Sequence, residues 1–128
     1  MHTILICDDD RDIVSALDIY LTSEGYRTLR AYNGLEAIQA VERNEVHLIL
    51  MDIMMPDMDG YEATRAIRLS EKVDAADIPI IALTANAFAE DAKAAHDAGM
   101  NAHLSKPLDF NKLKNILARI KKNGSVSL

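Results

Sequence analysis

The sequence predicts an α/β protein, a doubly wound parallel sheet made of five consecutive β-α units. Two observations predict it. Five short apolar runs alternate along the chain with segments whose apolar residues recur every three or four positions, as on one face of a helix. Three of these runs, at residues 4–7, 46–51 and 78–83, are almost continuously apolar. Strands have this composition when helices cover both faces of a parallel sheet.

The other two predicted strands lie at residues 26–31 and 102–104. The helices between strands are recognised by apolar stripes. The stripe is Ile13, Ala16, Leu17, Tyr20 and Leu21 in the first unit, Leu35, Ile38 and Val41 in the second, and Leu113, Ile116, Leu117 and Ile120 in the last. Gly25 and Gly99 lie just past helical segments and favour helix termination. Asp109 is the predicted N-cap of the last helix.

Length and composition indicate one domain, at residues 1–121, and a tail at 122–128 that we expect to fray or to begin a linker. The net charge of −6 argues against a nucleic-acid surface, which needs clustered Lys and Arg. No apolar stretch approaches the ~20 residues of a membrane span, so we expect no membrane insertion. The lack of a secretory leader pattern and the single cysteine, Cys7, favour a cytoplasmic location.

Acidic residues close two of the predicted strands. Asp8 and Asp9 follow the first strand, and Asp52 follows the third. Ligands bind at the carboxyl edge of open α/β sheets, where these side chains would meet. Carboxylates this close resist ionisation unless a cation lies among them. We expect Mg²⁺, which uses a few carboxylates and retains waters, rather than Zn²⁺, because the four histidines show no ligand spacing.

Two further side chains belong to the same edge of the sheet. Thr84 closes the fourth strand and Lys106 closes the fifth, so they place a hydrogen-bond donor and a fixed positive charge near the carboxylates. Phosphoryl transfer needs little more than positioning, a metal ion and stabilisation of charge. An aspartate can itself be the nucleophile and form an aspartyl phosphate. The remaining acids nearby are better explained as helix-start or turn residues: Asp10, Asp12, Asp57 and Asp59.

Four segments together resemble the receiver domain of two-component response regulators. They are residues 4–10, 48–60, 80–85 and 104–107, and the likeness extends from about Thr3 to Ile120. Each segment alone is weakly specific, but their order and spacing are typical of the family. The resemblance implies a flavodoxin-like fold with five parallel strands in the order 2-1-3-4-5.

The resemblance also implies an acceptor and a metal site. Asp52 would accept a phosphoryl group. Asp9, Asp52 and the backbone carbonyl of Met54 would hold Mg²⁺, and Asp8 would act mainly through water.

A switch is implied as well. Lys106 would pair with the phosphoryl oxygens, and Thr84 would swing to hydrogen-bond the phosphate, shifting the face formed by the fourth helix, fifth strand and fifth helix. The Lys106–Pro107 bond would be cis. The family often has Tyr or Phe three residues before the lysine. This chain has His103 there, which puts the usual aromatic switch in question.

The implied phosphodonor is a phosphohistidine on a histidine kinase or a histidine phosphotransfer domain. Residues 84–91 are most similar to receivers of hybrid sensor histidine kinases, and the sequence leaves open whether the chain is such a fragment or a free-standing regulator. We expect a signalling switch that catalyses its own phosphorylation and slow autodephosphorylation, not a turnover enzyme. A phosphorylation-dependent dimer is a further expectation.

Three other functions share part of this pattern. A phosphatase of the haloacid dehalogenase type needs a second Asp two residues after its nucleophile, where this chain has Met54. A flavodoxin-type FMN module needs a phosphate-binding loop after the first strand, where Asp8, Asp9 and Asp10 would repel a phosphate. A degenerate receiver would lack part of the site, whereas this chain retains every site residue.

Overall fold

The computed structural model describes residues 2–72, 74–85 and 89–123. Its elements are β1 (Thr3–Cys7), α1 (Arg11–Ser23), β2 (Arg27–Ala31), α2 (Gly34–Arg43), β3 (Leu48–Asp52), α3 (Gly60–Arg68), β4 (Ile80–Thr84), α4 (Ala89–Ala98), β5 (Ala102–Ser105) and α5 (Phe110–Asn123). All strand pairs are parallel, and the order is β2-β1-β3-β4-β5. The predicted fold class and strand order are confirmed. Residues 124–128 of the predicted tail lie outside the described residues.

Two apolar clusters cover the two faces of the sheet. Leu5 and Ile49 pack on one face with residues of α2, α3 and α4. Ile4 and Leu50, their neighbours in β1 and β3, pack on the other face with residues of α1 and α5. Successive side chains of a strand point to opposite faces, and here both faces are buried. This double burial explains the almost continuous apolar runs in the sequence.

The central strands lie slightly later in the chain than the apolar runs predicted. β3 and β4 each begin two residues later than predicted, and each ends on a polar residue, Asp52 or Thr84. Val46 and Ile78 are buried although they precede the strands. These residues lead into the strands at buried positions, so they are apolar although they are not paired in the sheet. Pro79 has no backbone N–H to donate to a neighbouring strand. Asp52 and Thr84 are therefore held by the sheet itself.

The helix ends follow the signals in the sequence. Asp10 and Asp59 cap α1 and α3 with their side chains, and Asp109 accepts hydrogen bonds from amides in the first turn of α5. Gly25 and Gly99 follow α1 and α4 with φ of 92° and 106°, in the left-handed region that favours glycine. In the part of the chain that the structure describes, no helix is long and apolar enough to cross a membrane.

Gly60 lets the start of α3 approach the end of β3. A Cβ at this position would lie 2.3 Å from the Asp52 carbonyl oxygen and 2.9 Å from the Ile53 Cα, both of them backbone atoms. The Gly60 amide also donates a hydrogen bond of 2.9 Å to the Ile53 carbonyl. The close approach therefore fixes the backbone that leaves Asp52.

We expect Gly60→Ala to lower the free energy of unfolding by about 3 kcal/mol, because two backbone segments must separate despite the better helix propensity of Ala. Gly34→Ala is the matched control, since Gly34 is also the first residue of a helix. There the added Cβ meets the Met58 side chain, 2.7 Å from its Sδ, and that flexible side chain can rotate away. The control should stay within about 1 kcal/mol of wild type. Urea unfolding followed by circular dichroism compares them, and equal losses would contradict the argument.

Candidate functional site

The carboxyl edge of the sheet brings three acidic side chains together. Asp8 and Asp9 follow β1 directly, and Asp52 is the last residue of β3. One carboxylate oxygen from each residue lies within 4.8 Å of the others. The strand order creates this cluster, because β1 and β3 are neighbours in the sheet although α1, β2 and α2 separate them in the chain.

Two of the three acids are buried. Asp8 has no exposed surface, Asp52 is 2% exposed, and Asp9 is exposed. Asp8 Oδ1 accepts a hydrogen bond of 2.9 Å from the Asp10 amide. Its other oxygen, Oδ2, is buried and forms an ion pair of 2.9 Å with the Lys106 ammonium. The cluster thus contains a carboxylate oxygen that is removed from water and balanced by a lysine.

Lys106 is the cation of the site. Its Nζ lies 2.9 Å from Asp8 Oδ2 and 3.2 Å from Asp52 Oδ1, and the second contact is also a hydrogen bond. Lys106 directly follows β5, and the Lys106–Pro107 peptide is cis, as expected. The two buried carboxyl groups, those of Asp8 and Asp52, therefore share one ammonium group.

Thr84 lies at the same edge and is tied to the lysine through the backbone. It is the last residue of β4, is 6% exposed, and pairs in register with Ser105. Its carbonyl oxygen accepts a hydrogen bond of 2.7 Å from the Lys106 amide. The segment that follows Thr84 includes residues 86–88, which lie outside the described residues.

Met54 lies two residues after Asp52 in the loop between β3 and α3, and its side chain is 75% exposed. Another residue of this loop, Met55, is buried and accepts a contact of 3.6 Å from the Cys7 thiol. The sulfur contact joins the loop to the last residue of β1. The chain therefore positions the predicted carbonyl ligand between Asp52 and a buried anchor.

Burial and like charge perturb the ionisation of the site. Burial, followed by the nearby Asp8 carboxylate, raises the pKa of Asp52 to about 7, although Lys106 acts in the opposite direction. Burial alone would lower the pKa of Lys106, but its contacts with Asp8 and Asp52 outweigh burial and raise it. Burial, followed by Asp8, also raises the pKa of the Cys7 thiol well above its usual range, which favours the protonated thiol over the thiolate.

The residues present fit a hard divalent cation. Two of the acids are buried, and three carboxyl groups lie together beside one ammonium group, that of Lys106. Oxygen donors of this kind suit Mg²⁺, which is held by one or two carboxylates and keeps several waters. Asp9, Asp52 and Asp8 could hold such an ion at this edge of the sheet.

His103 lies in β5 opposite Ala82 and is half-buried. Its neighbours Ala102 and Leu104 pack with α1 and α5, so the alternation of the strand places His103 on the other face. The Nδ1 atom is buried and has no hydrogen-bond partner among the described residues. The structure thus places the unusual residue beside the strand that ends in Thr84.

Sequence reasoning missed two parts of the site. It assigned Lys106 to phosphoryl oxygens but not to Asp8 and Asp52, which it contacts here. It also missed Gly60, whose close approach fixes the backbone after Asp52. The only signal for Gly60 is its position after the N-cap Asp59, and that signal does not show how near the backbone lies.

Known proteins are similar to this chain in sequence and fold. Residues 4–118 match the model of the response regulator receiver domain. The chain is 36% identical over 115 residues to the sensor histidine kinase RcsC of Salmonella typhi, an alignment that covers 90% of this chain and 12% of the kinase. Across eight curated relatives, the chain spans between 7% and 56% of their length.

Two solved structures extend the comparison. One is the receiver domain of the sensor histidine kinase PA1611 of Pseudomonas aeruginosa, with magnesium in its active site cleft. It has 40% identity and a TM-score of 0.83, over 92% of this chain and 95% of that one. The other is the receiver domain of Ssk1 of Saccharomyces cerevisiae, bound to the histidine phosphotransfer protein Ypd1. It has 30% identity and a TM-score of 0.82, over 88% of this chain and 83% of that one.

The raised pKa of Asp52 predicts a pH-dependent stability of the metal-free protein. The folded value of about 7 lies above the ordinary value of 3.8, so the folded state holds an extra proton between these two pH values. Stability conferred by that proton is lost as the pH rises through this window. Between pH 4 and pH 8, we expect the free energy of unfolding of the wild-type protein to fall by about 3 kcal/mol more than that of Asp52→Asn.

Asp57→Asn is the matched control, because it makes the same chemical change at an exposed residue of the next loop. Urea unfolding in the presence of a chelator, repeated at several pH values, measures all three proteins. Superimposable pH profiles for the two variants would contradict the raised pKa of Asp52.

Proposed function

This chain belongs to the response regulator receiver domain family, and from that membership we propose that Asp52 accepts a phosphoryl group from a phosphohistidine on a partner. The chain is thus a receiver domain of a two-component system. The observation that supports Asp52 as the acceptor is its position. It ends β3 beside Asp8 and Asp9, and its Oδ1 lies 3.2 Å from the Lys106 ammonium.

The transfer exchanges one bond to phosphorus for another. A carboxylate oxygen of Asp52 attacks the phosphorus, the P–O bond forms, and the P–N bond to the donor histidine breaks with its electron pair remaining on the imidazole. Mg²⁺ bound by Asp9, Asp52, the Met54 carbonyl and, through water, Asp8 would neutralise charge on the phosphoryl oxygens.

Lys106 and Thr84 respond to the modified acceptor. Phosphorylation turns the Asp52 carboxylate into an acyl phosphate and adds phosphoryl oxygens, so the Lys106 ammonium exchanges its contact with Asp52 for one with the phosphoryl group. The Thr84 hydroxyl, at the end of the adjacent strand, donates to another of those oxygens. Because the Lys106 amide donates a hydrogen bond to the Thr84 carbonyl, the ends of β4 and β5 move together. The face formed by α4, β5 and α5 then differs between the two states.

An apolar groove beside this site could serve as a docking surface for the donor protein. Ile13 and Ala16 of α1, together with Leu108 and Phe110, line an apolar groove that also includes Lys106. A partner that docked there would bring its phosphohistidine to the edge where Asp52 lies. The Ssk1 receiver, which is similar to this chain, forms a complex with a histidine phosphotransfer protein. We therefore propose a histidine kinase or a histidine phosphotransfer domain as the donor.

We propose that residues 1–121 act as the receiver unit, and that the chain catalyses its own phosphorylation and slow dephosphorylation in the cytoplasm. Met54 supports a switch over a phosphatase, because it stands where a haloacid dehalogenase-type enzyme needs its acid/base aspartate. A phosphorylation-dependent dimer and the lack of direct nucleic-acid contact stay predictions.

Incubation with acetyl phosphate and Mg²⁺ should add the mass of one phosphoryl group to the wild-type chain, as measured by intact mass spectrometry. Asp52→Asn should abolish the adduct, because it removes the nucleophilic carboxylate. Asp57→Asn should retain it. A wild-type chain without an adduct, or an Asp52→Asn chain that still forms one, would show that Asp52 is not the acceptor.

Lys106→Met should tighten Mg²⁺ binding severalfold, because it removes a positive charge that lies 2.9 Å from Asp8 Oδ2 and 3.2 Å from Asp52 Oδ1. Lys112→Met, which changes an exposed lysine of α5 in the same way, should leave the affinity unchanged. Isothermal titration calorimetry measures both. An unchanged affinity in Lys106→Met would place the metal away from this cluster, and weaker binding would contradict the repulsion between Lys106 and the ion.

A further inference from the structure

A second cavity lies at the amino edge of the sheet, the edge opposite Asp52. Its volume is about 320 Å³, within the range of small-molecule sites. Ile4 and Leu48, at the starts of β1 and β3, and Leu117 of α5 line it, and all three are buried core residues. The cavity therefore opens from solvent directly onto the apolar core.

A few polar groups share the lining of this cavity. They come from His2, Tyr26, His47 and Lys121. The Lys121 ammonium lies 5.6 Å from the centre of the Tyr26 ring. Apolar walls with a small number of polar groups are typical of sites for small organic ligands.

The two histidines do not form a metal site. Their ring centres are 5.0 Å apart. However, His47 Nδ1 accepts a hydrogen bond of 2.9 Å from the Thr3 amide, so the proton of the neutral ring is on Nε2, which lies 3.1 Å from Glu45. Both nitrogens of His47 are engaged, and the ring contributes a wall of the cavity. The ligand chemistry must therefore come from the other polar groups.

The charge of the groups around the cavity favours an anionic ligand. Among the described residues, no carboxylate lines the cavity and Lys121 makes no salt bridge, whereas Lys114 on the same helix lies 3.9 Å from Glu24. Helix α5 carries five basic residues and no acidic one, although the whole chain has a net charge of −6. The carboxyl-terminal half of α5 is thus a positive region beside an apolar cavity.

We propose that this cavity binds a small amphipathic anion, an organic carboxylate with an aliphatic body. The body lies against Ile4, Leu48 and Leu117, and the carboxylate pairs with the Lys121 ammonium. The site is at the far edge of the sheet from Asp52 and does not rest on the phosphoryl-transfer function. A ligand there contacts α5, one of the helices of the proposed output face.

Sodium octanoate is the probe, titrated into the full chain and followed by ¹H–¹⁵N correlation NMR. We expect saturable shifts at the amides of Tyr26, Leu117 and Ile120, and none at Asp8 or Asp52. 1-Octanol, which has the same body without the charge, should bind at least about tenfold more weakly. Absence of saturable shifts at the cavity, or equal affinity for the alcohol, would overturn the proposal.

Two variants test the assigned contacts. Lys121→Glu should weaken octanoate binding at least about tenfold, whereas Lys112→Glu, the same charge change on α5 at a residue that does not line the cavity, should not. Ile120→Trp places a larger side chain in the lining and should abolish binding of both probes. If both lysine variants weakened octanoate binding equally, the effect would come from the net charge of the chain, and the proposed site would be wrong.

Discussion

Two buried carboxyl groups, those of Asp8 and Asp52, share a single ammonium group, and the functional edge of this protein depends on that imbalance. Burial, followed by the charge of Asp8, raises the pKa of Asp52, and the imbalance provides the surplus of oxygen donors that suits a divalent cation. It also holds the Lys106 side chain beside Asp52, the proposed phosphoryl acceptor.

The parallel sheet is what keeps repelling groups together. Asp8 and Asp52 are placed by strands β1 and β3, whose side chains are buried on both faces, so the backbone at their ends cannot separate without exposing core residues. The free energy gained by burying the apolar side chains of two whole strands far exceeds the Coulomb repulsion between two partly screened carboxylates. Gly60 adds a local restraint, because α3 lies against the Asp52 carbonyl. The apolar core and the polar edge are therefore parts of one arrangement.

The β-α alternation and the candidate site residues could be predicted from local patterns, whereas the strand order was implied by the family resemblance. Alternating apolar runs predict the β-α units, and acids such as Asp52 stand out because they end those runs. The bounds of β3 and β4 were less predictable, since buried lead-in residues such as Val46 are apolar without being paired. The resting partners of Lys106 and the close approach at Gly60 depend on distances between distant segments, which no local pattern contains.

The hydrogen bond between the Lys106 amide and the Thr84 carbonyl has a mechanical consequence. Since it joins two strand ends, we expect any displacement of the Thr84 backbone to move the Lys106 backbone with it. The resistance to that displacement comes from where the edge is anchored. Phe110, at the start of α5, stacks on Tyr20 of α1 with ring centres 4.7 Å apart. Signal strength could therefore be retuned by residues in this stack, leaving the chemistry at Asp52 unaltered.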